Sequence, residues 1–516
     1  MRDAAVSFVA DDAGMPTFGS ALASLSPRFS VESSPARQVK RTWLDTDDWR
    51  LHEAGMVLEH TETPTDDPRL VLHDAQGRRH TQPAQQLSWP ARIGALREGP
   101  VRYQIESVLG IRALLPAAEL RGRQQDLRVL NPDRKTVVRL IIESSVRSGG
   151  VELPDQLSVS AVRGYQDQAD RVIARLSTVK GVSASEASLY ERALAAAGRA
   201  FGDDVPEPVL LTGSMPASSA VIAVLHGFLS TVERTLDGVV RDIDPEFLHD
   251  FRVAVRRSRS TLKLAGDVLE SEPAEQLGRD LKWIGDLTSP TRDLDVHILG
   301  LPDMAAGLQS AAPTDLDPFR RYLLAQRRTE FRRLARALRS ARFRKVLEHW
   351  RALGLLAEPS DPEHQVSAGE LAAQRVRQAH RRVTKRGRSI GPDSQPEALH
   401  DLRKRCKELR YLLEIFRPLH DPATHRCALK DLKGLQEVLG EFQDAEVQSL
   451  AVREFAATMI STRSTPAPTV LAMGELAAQL STHQRHARTE FAASFAAFDS
   501  ADSRARFREL ASGSPA

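Results

Sequence analysis

The phrase "LHDFRVAVRRSRSTL", residues 248–262, returns as "LHDLRKRCKELRYLL" at residues 399–413. When residues 248–296 are laid over residues 399–447 without a gap, 11 of the 49 positions are identical. A repeat of this kind indicates a duplicated supersecondary unit. Because the apolar residues of both copies recur at helical spacing, the repeat predicts an all-α helical bundle with internal two-fold symmetry.

A row of cations runs beside the apolar stripe of each copy. The first row is His249, Arg252, Arg256, Arg259 and Lys263, and the second is His400, Arg403, Lys407 and Arg410. At about 100° per residue, each row falls on one face of its helix. Like charges on one helix face repel each other by some tenths of a kcal/mol per pair, so stability alone does not favour these rows. A solvated helix face is the plain alternative, but two rows in repeat register favour a site for a polyanion.

Two further segments concentrate positive charge. Residues 319–351 hold twelve Arg and Lys against two Glu, and residues 371–388 hold seven Arg and Lys and no acidic residue. Aromatic residues make up only 5% of the chain, which disfavours a stacking platform for bases. Arginine binds phosphate through forked, charge-assisted hydrogen bonds. The pattern therefore favours inorganic polyphosphate as the partner, and leaves an RNA or protein interaction module as an alternative.

The chain of 516 residues divides by its sequence pattern into four parts. Residues 1–200 contain short apolar runs separated by turn signals, which predicts an α+β domain on an antiparallel sheet. Residues 201–216 read as a linker, residues 217–498 as the helical bundle, and residues 499–516 as a tail. Proline-containing segments, including "LTSPT" in the first repeat, are predicted helix boundaries.

The composition also bears on the compartment and the class of protein. No run approaches the roughly 18–20 apolar residues of a membrane span, and the N-terminus makes a poor signal peptide. The two cysteines, Cys406 and Cys427, are too few for a disulfide framework or for a zinc site of their own. We therefore expect a cytoplasmic protein with no membrane partner.

The doubled phrase, together with "RDLDV" and "LGEFQDAEV" at the ends of the following helices, resembles the CHAD family, the conserved-histidine α-helical domain. The resemblance covers about residues 217–498. It implies a two-unit helical bundle that binds polyphosphate without catalysis and locates to polyphosphate granules. It also implies binding roles for the two cation rows, and, on the following helices, for Arg279, Lys282, Lys430 and Lys433.

The N-terminal half resembles the CYTH, or triphosphate-tunnel, family through "RTWLDTDDWRLHEAGMVLEH", residues 41–60. Active members begin with a Glu-x-Glu-x-Lys strand whose carboxylates hold a divalent cation. The corresponding "AAVSFVAD", residues 4–11, has neither Glu nor Lys, and "LSVSAV", residues 157–162, has no carboxylate. The resemblance therefore implies a degenerate, catalytically inactive tunnel with no metal and no cofactor. A metal-dependent triphosphatase or polyphosphatase in this half is the alternative.

Overall fold

The computed structural model describes residues 6–10, 15–26, 28–84, 87–202, 209–269, 272–353, 366–462 and 465–512. The chain forms two compact units, Met1–Val205 and Pro206–Ala516. Their boundary lies within the predicted linker 201–216, of which residues 203–208 lie outside the described ranges. Across the described residues, none of the helices combines the length and the apolar character that crossing a bilayer requires.

The N-terminal unit is built on an antiparallel sheet, as the sequence predicts. Its strands are β1 Val6–Ala10, β2 Ser30–Ser33, β3 Arg37–Asp45, β4 Val57–Glu62, β5 Arg69–His73, β6 Arg79–Pro83, β7 Leu115–Leu130, β8 Thr136–Ser148, β9 Val151–Leu153, β10 Gln156–Ala161 and β11 Val182–Ser185. Their order along the sheet is β11-β1-β10-β8-β7-β3-β4-β5-β6, while β2 pairs with β7 and β9 pairs with β8. The first strand, β1, therefore pairs with the last two strands of the chain, β10 and β11.

A tight turn at "NPDRKT", residues 131–136, joins the two longest of these strands, β7 and β8, into a hairpin. The Asn131 backbone N–H donates to Lys135 O at 3.0 Å, and Asn131 Oδ1 accepts from the Lys135 N–H at 2.9 Å. Arg134 adopts a left-handed backbone with φ 58° to close the turn. The strands then pair in register from Val129 with Val138 towards the centre of the sheet.

Short helices cover the sheet. They are α1 Met15–Ala23, α2 Arg50–Glu53, α3 Pro100–Leu109, α4 Gln166–Leu176 and α5 Leu189–Ala196. Alternating strand residues such as Phe8 and Leu157 pack with Val172 and Leu176 of α4 in one buried cluster. The apolar residues that α3 contributes lie with those of β4 and β5 in another buried cluster. Both clusters follow from strands that are apolar on one face and helices with one apolar stripe.

The second unit consists of helices throughout its described ranges. They are α6 Ala217–Val240, α7 Pro245–Ala265, α8 Glu272–Ala306, α9 Asp317–Leu338, α10 Ala341–Ala352, α11 Ala368–Arg388, α12 Pro396–Ile415, α13 Pro422–Ser461, α14 Ala467–Phe498 and α15 Ala501–Leu510. The two copies of the repeated phrase lie on α7 and α12, and their continuations lie on the long helices α8 and α13. This arrangement confirms the predicted helical bundle and its internal repeat.

Several predicted proline boundaries are present, and one is wrong. Asp244 caps α7 just before Pro245, and its carboxylate accepts from the Glu246 N–H at 2.9 Å. Helix α8, in contrast, continues through Pro290 in "LTSPT". Because Thr288, Thr291 and Leu294 are buried around Pro290, packing on both sides of the proline offsets the roughly 3 kcal/mol that an interior proline costs a helix.

The C-terminal segment 499–516 also differs from the predicted tail. Within it, α15 begins after Ser500, whose hydroxyl accepts from the Ser503 N–H at 3.2 Å. The side chains of Phe507 and Leu510 are buried, and Phe507 packs against Phe498 and His380. A helix of ten residues with only two large apolar residues, both in its last turn, carries too weak a periodic signal to be separated from a charged tail by sequence alone.

Candidate functional site

Helices α7 and α12 pack side by side, so that the two cation rows lie next to each other. The guanidinium of Arg256 on α7 donates from Nε to the hydroxyl of Tyr411 on α12 at 2.8 Å. Ion pairs also join the same helices, Arg257 with Glu414 at 2.6 Å and Lys263 with Glu408 at 2.7 Å. The two copies of the phrase therefore form one continuous surface.

The charges of the two rows act on each other across the helix pair. Arg256 and Lys407 occupy the same position in the two copies, 151 residues apart. Burial first, and then the charges of Arg403, Arg256 and Arg410, together lower the pKa of Lys407 to about 8, while Asp444 opposes them. The ion pairs Arg257–Glu414 and Lys263–Glu408 are exchanged by the 151-residue offset of the repeat, so its pseudo-two-fold axis passes between α7 and α12.

At the N-terminal end of the first row, Arg252 is anchored to α8. Its Nη1 donates to Thr288 Oγ1 at 2.8 Å and to Ser289 Oγ at 2.9 Å. His249 lies one turn before it, and burial followed by the charge of Arg292 lowers its pKa, so this imidazole is neutral at pH 7. The arginine is thereby fixed in place beside a neutral ring.

The second row has the same geometry with different partners. Arg403 donates from Nη1 to Gln443 Oε1 at 2.9 Å, and its Nη2 lies 3.0 Å from Asp444 Oδ1. The Nε2 atom of His400 lies 2.6 Å from Glu446 Oε2. The repeat-equivalent carboxylate in the first copy, Asp295, is instead paired with an arginine of α9. The two ends of the shared surface therefore differ in charge.

This doubled helical arrangement coincides with a known domain family. Residues 223–453 match the family model of the CHAD domain. The second unit contains a CHAD domain. The recognition made from the doubled phrase is thus confirmed, and the match includes all thirteen of the residues predicted as its site.

Two solved structures are similar to parts of this chain. The CHAD domain of the plant Ricinus communis covers 59% of this chain and 95% of its own length, with 24% identity and a TM-score of 0.43. A provisionally named adenylate cyclase from Bacillus halodurans covers 36% of this chain and 96% of its own, with 12% identity and a TM-score of 0.27. At these TM-scores neither likeness adds to what the topology shows.

Curated relatives exist in Mycobacterium tuberculosis. An uncharacterized protein of that organism is 28% identical over 298 residues, which is 54% of this chain and 52% of the relative. The chain therefore spans about half the length of the curated relatives it matches.

Carboxylates neutralise part of the CHAD cation rows, which the sequence did not predict. Lys263 pairs with Glu408 of α12, and Arg403 pairs with Asp444 of α13. Arg410 pairs with Glu414 on its own helix at 2.7 Å. Among the described residues, by contrast, Arg256, Arg259 and Lys407 form no ion pair. Arg252 likewise has no ion pair with a described residue and donates to neutral hydroxyls, so the unpaired charge lies along the first row and at Lys407. Six cations of this surface, which we term the paired rows, are Arg252, Arg256, Arg259, Arg403, Lys407 and Arg410.

The four cations predicted on the following helices are exposed. On α8, Lys282 pairs with Asp286 at 2.7 Å, and Arg279 donates to Gln276 at 2.8 Å. On α13, Lys430 and Lys433 form no ion pair with a described residue. Lys282 precedes Ser289 by seven residues, or about two turns, and therefore lies on the stripe of α8 that contacts Arg252. These positions continue the cationic surface at lower charge density.

Several residues at the site escaped the sequence analysis. Tyr411 accepts from Arg256, and Arg292 acts on both His249 and Arg252. Arg292 immediately precedes Asp293 in the repeated "RDLDV" segment, which was a usable signal. Tyr411 gave no such signal, because its repeat-equivalent is Ser260 and its apolar neighbours made it look like a core residue.

The N-terminal unit has a charged cluster of a different kind. Arg41 on β3 forms an ion pair with the buried Glu143 on β8, and its Nε lies 3.4 Å from Glu59 on β4. Arg41 also donates to Gln124 on β7 at 2.8 Å. Over the described part of the chain, no group of three or more His, Cys, Asp or Glu is placed to hold a metal ion. The carboxylates within the sheet thus face a guanidinium that the sequence analysis did not single out.

Proposed function

We propose that this protein binds inorganic polyphosphate without hydrolysing it, and that the paired rows of its CHAD domain are the binding surface. The observation that carries the proposal is that Arg256, Arg259 and Lys407, on two adjacent helices, form no ion pair with a described residue. Like charges on one surface without an ion-pair partner are unfavourable in the free protein, and a bound polyanion relieves them. Burial first, and then the charges of Arg403 and Arg256, lower the pKa of Lys407, which a bound phosphate would raise again.

The chemistry of the surface favours phosphate over nucleotide bases. Its donors are guanidinium and ammonium groups, which bind phosphate oxygens through charge-assisted hydrogen bonds. Tyr411, the aromatic residue that touches Arg256, is buried and uses its hydroxyl as an acceptor, so its ring is not available for stacking. A linear polyphosphate offers negative charge at every unit and needs no base recognition.

The absence of hydrolysis is part of the proposal and rests on the N-terminal unit. Strand β1 contains no carboxylate, whereas metal-dependent phosphoryl chemistry needs oxygen ligands to position the cation. The carboxylates of Glu59 and Glu143 are already engaged by Arg41. We therefore propose that this unit does not act on phosphoanhydride bonds, and that the whole chain attaches to cytoplasmic polyphosphate granules through its CHAD domain.

Binding of long-chain polyphosphate to the full chain across a salt series tests the proposal. The variant Arg259→Gln with Lys407→Gln removes two charges without breaking an ion pair between described residues. Its affinity should fall at least tenfold, and the slope of log K against log salt should decrease by about 1.4, since each contact contributes about 0.7. The control Arg121→Gln with Arg128→Gln removes two exposed charges from the N-terminal unit and should change affinity less than twofold.

Three results would overturn parts of the proposal. Equal losses in the CHAD variant and in the control would mean that net charge, not the paired rows, drives binding. Displacement of polyphosphate by RNA at equal phosphate concentration would favour the interaction module instead. The purified chain could also release phosphate from tripolyphosphate in the presence of Mg²⁺ or Mn²⁺. If Glu143→Gln abolished that release, the N-terminal unit would be an enzyme.

A further inference from the structure

Helix α9 carries a stripe of arginines on the face that points away from the bundle. The outer stripe is Arg321, Arg328, Arg332, Arg336 and Arg339. At about 100° per residue these five fall within an arc of roughly 80°. All five are exposed, whereas the opposite face of α9 buries Phe319, Leu323, Leu334 and Leu338. At about 1.5 Å per residue the outer stripe extends about 27 Å along the helix.

No described carboxylate neutralises the outer stripe. Arg321, Arg332 and Arg339 donate to backbone carbonyl oxygens, and none of the five pairs with an acidic residue within the described ranges. Two other arginines of α9 are paired: Arg327, on the inner face, engages Asp242 and Asp295, and Arg333 lies 3.5 Å from Glu330. Like charges at i, i+4 spacing, as at 328, 332 and 336, cost a helix some tenths of a kcal/mol each.

The fold does not require this stripe. Helix α14 is the counterpart of α9 in the second repeat, and each packs on the long helix before it. Their buried positions align at an offset of 153 residues, Leu323 with Leu476 and Leu334 with Ala487. At this offset the five stripe positions correspond to Gly474, Ser481, Arg485, Thr489 and Ala492. One helix of the pair thus keeps its place in the bundle with a single arginine on the equivalent face.

The donor groups of the outer stripe favour a ligand made of phosphate groups. Guanidinium groups are the donors, and the exposed face between them offers Ala325 and Thr329 rather than an aromatic ring. Regular spacing over about 27 Å suits a ligand with charge along its length better than a compact anion. We propose that the outer stripe is a second polyphosphate-binding surface, separate from the paired rows, that engages only chains long enough to follow it.

This inference rests on the proposed function, and it predicts how affinity depends on chain length. A short polyphosphate occupies the paired rows alone. A long chain held there is present at high effective concentration for the outer stripe, so the two surfaces act as a bivalent binder. A long chain offers many equivalent registers on one surface, and this alone raises its affinity by a statistical factor. The affinity for long chains should exceed the affinity for short chains by more than that factor.

The test uses the full chain, with tripolyphosphate as the short ligand and long-chain polyphosphate as the long one. The stripe variant carries Arg328→Gln, Arg332→Gln and Arg336→Gln, which keep good helix formers at each position. The matched control carries Arg121→Gln, Arg128→Gln and Arg147→Gln on exposed strand positions of the N-terminal unit. Circular dichroism checks that the helix content of the stripe variant is unchanged.

The stripe variant should lose at least tenfold in affinity for long-chain polyphosphate, with a decrease of about 2 in the salt slope. Its tripolyphosphate affinity, and both affinities of the control, should stay within twofold of the wild type. Unchanged long-chain affinity, or an equal loss at both lengths, would overturn the inference while leaving the paired rows in place. Loss of duplex RNA binding with retained polyphosphate binding would assign the stripe to nucleic acid. A wild type that binds neither polyphosphate would remove the proposed function as well.

Discussion

Replacing Lys407 with arginine should abolish most of the pH dependence of polyphosphate binding between pH 7 and pH 9. The free ammonium has a pKa of about 8, set first by burial and then by the neighbouring arginines. Phosphate favours the charged form and raises this pKa on binding. The contribution of Lys407 is therefore complete well below pH 8 and is lost as the pH rises from the free-state value towards the higher bound-state value.

The size of the effect follows from the protonated fraction of Lys407. With a pKa of about 8 this fraction falls about tenfold between pH 7 and pH 9, which corresponds to about 1.4 kcal/mol of binding free energy. Tenfold is an upper bound, because water and salt screen a side chain that is only partly buried. The repeat itself supplies the matched residue, since Arg256 occupies the equivalent position and stays charged throughout this range.

Isothermal titration calorimetry measures both parts of this prediction. Titrations at pH 8.5 in two buffers of different ionisation enthalpy should show proton uptake on binding for the wild type and much less for Lys407→Arg. The exposed thiol of Cys427 lies on the following helix, α13, and both proteins should carry Cys427→Ser to remove it from the measurement. If the arginine variant loses affinity between pH 7 and pH 9 as steeply as the wild type, the ammonium does not contact the ligand and the centre of the site is wrong.

Three substitutions should change the free energy of unfolding, each measured in denaturant. Arg41→Met should destabilise the N-terminal unit by about 3–5 kcal/mol, since it leaves the buried carboxylate of Glu143 uncompensated, and the added change Glu143→Gln should recover part of the loss. Arg252→Ala should lower the free energy of unfolding by about 1–3 kcal/mol, because the hydroxyls of Thr288 and Ser289 lose their donor. Its control, Arg259→Ala at an exposed position, should change it by less than about 0.5 kcal/mol. Equal costs would contradict the contact of Arg252 with α8. Phe507→Ala should cost about 3–5 kcal/mol, whereas a true tail would show no change.

The sequence was sufficient for the bundle and for the pairing of the two cation rows. A repeat that aligns without a gap places equivalent side chains about one axis, so Arg256 and Lys407 had to be related by it once the helices formed. What the repeat could not supply is the partner of each charge. Lys263 meets Glu408 only because α7 and α12 pack side by side, and that contact depends on tertiary packing rather than on spacing within a helix.

The basic helix α9 also shows that the sequence does not predict which charges are paired. In the sequence, Arg327 is one of twelve cations between residues 319 and 351 and looks like part of a solvated face. In the fold it is the inward-facing one, paired with Asp242 and Asp295, and these contacts raise its pKa. Charge counting therefore located the basic segment but could not separate the structural arginine from the outward-facing ones.

That separation matters for how the two repeats divide their work. Asp295 occupies the position of Glu446, which lies beside His400 in the second copy. Because Arg327 engages Asp295, the first copy gives up the carboxylate beside its histidine and gains a fixed link between α8 and α9. The equivalent of Arg327 on α14 is the apolar Leu480, aligned by its burial. The Arg327–Asp295 contact thus neutralises a negative charge at the first end of the paired rows. The same contact holds α9 so that its outer stripe faces outward. The more cationic end of the paired rows and the outer stripe therefore occur in the same repeat.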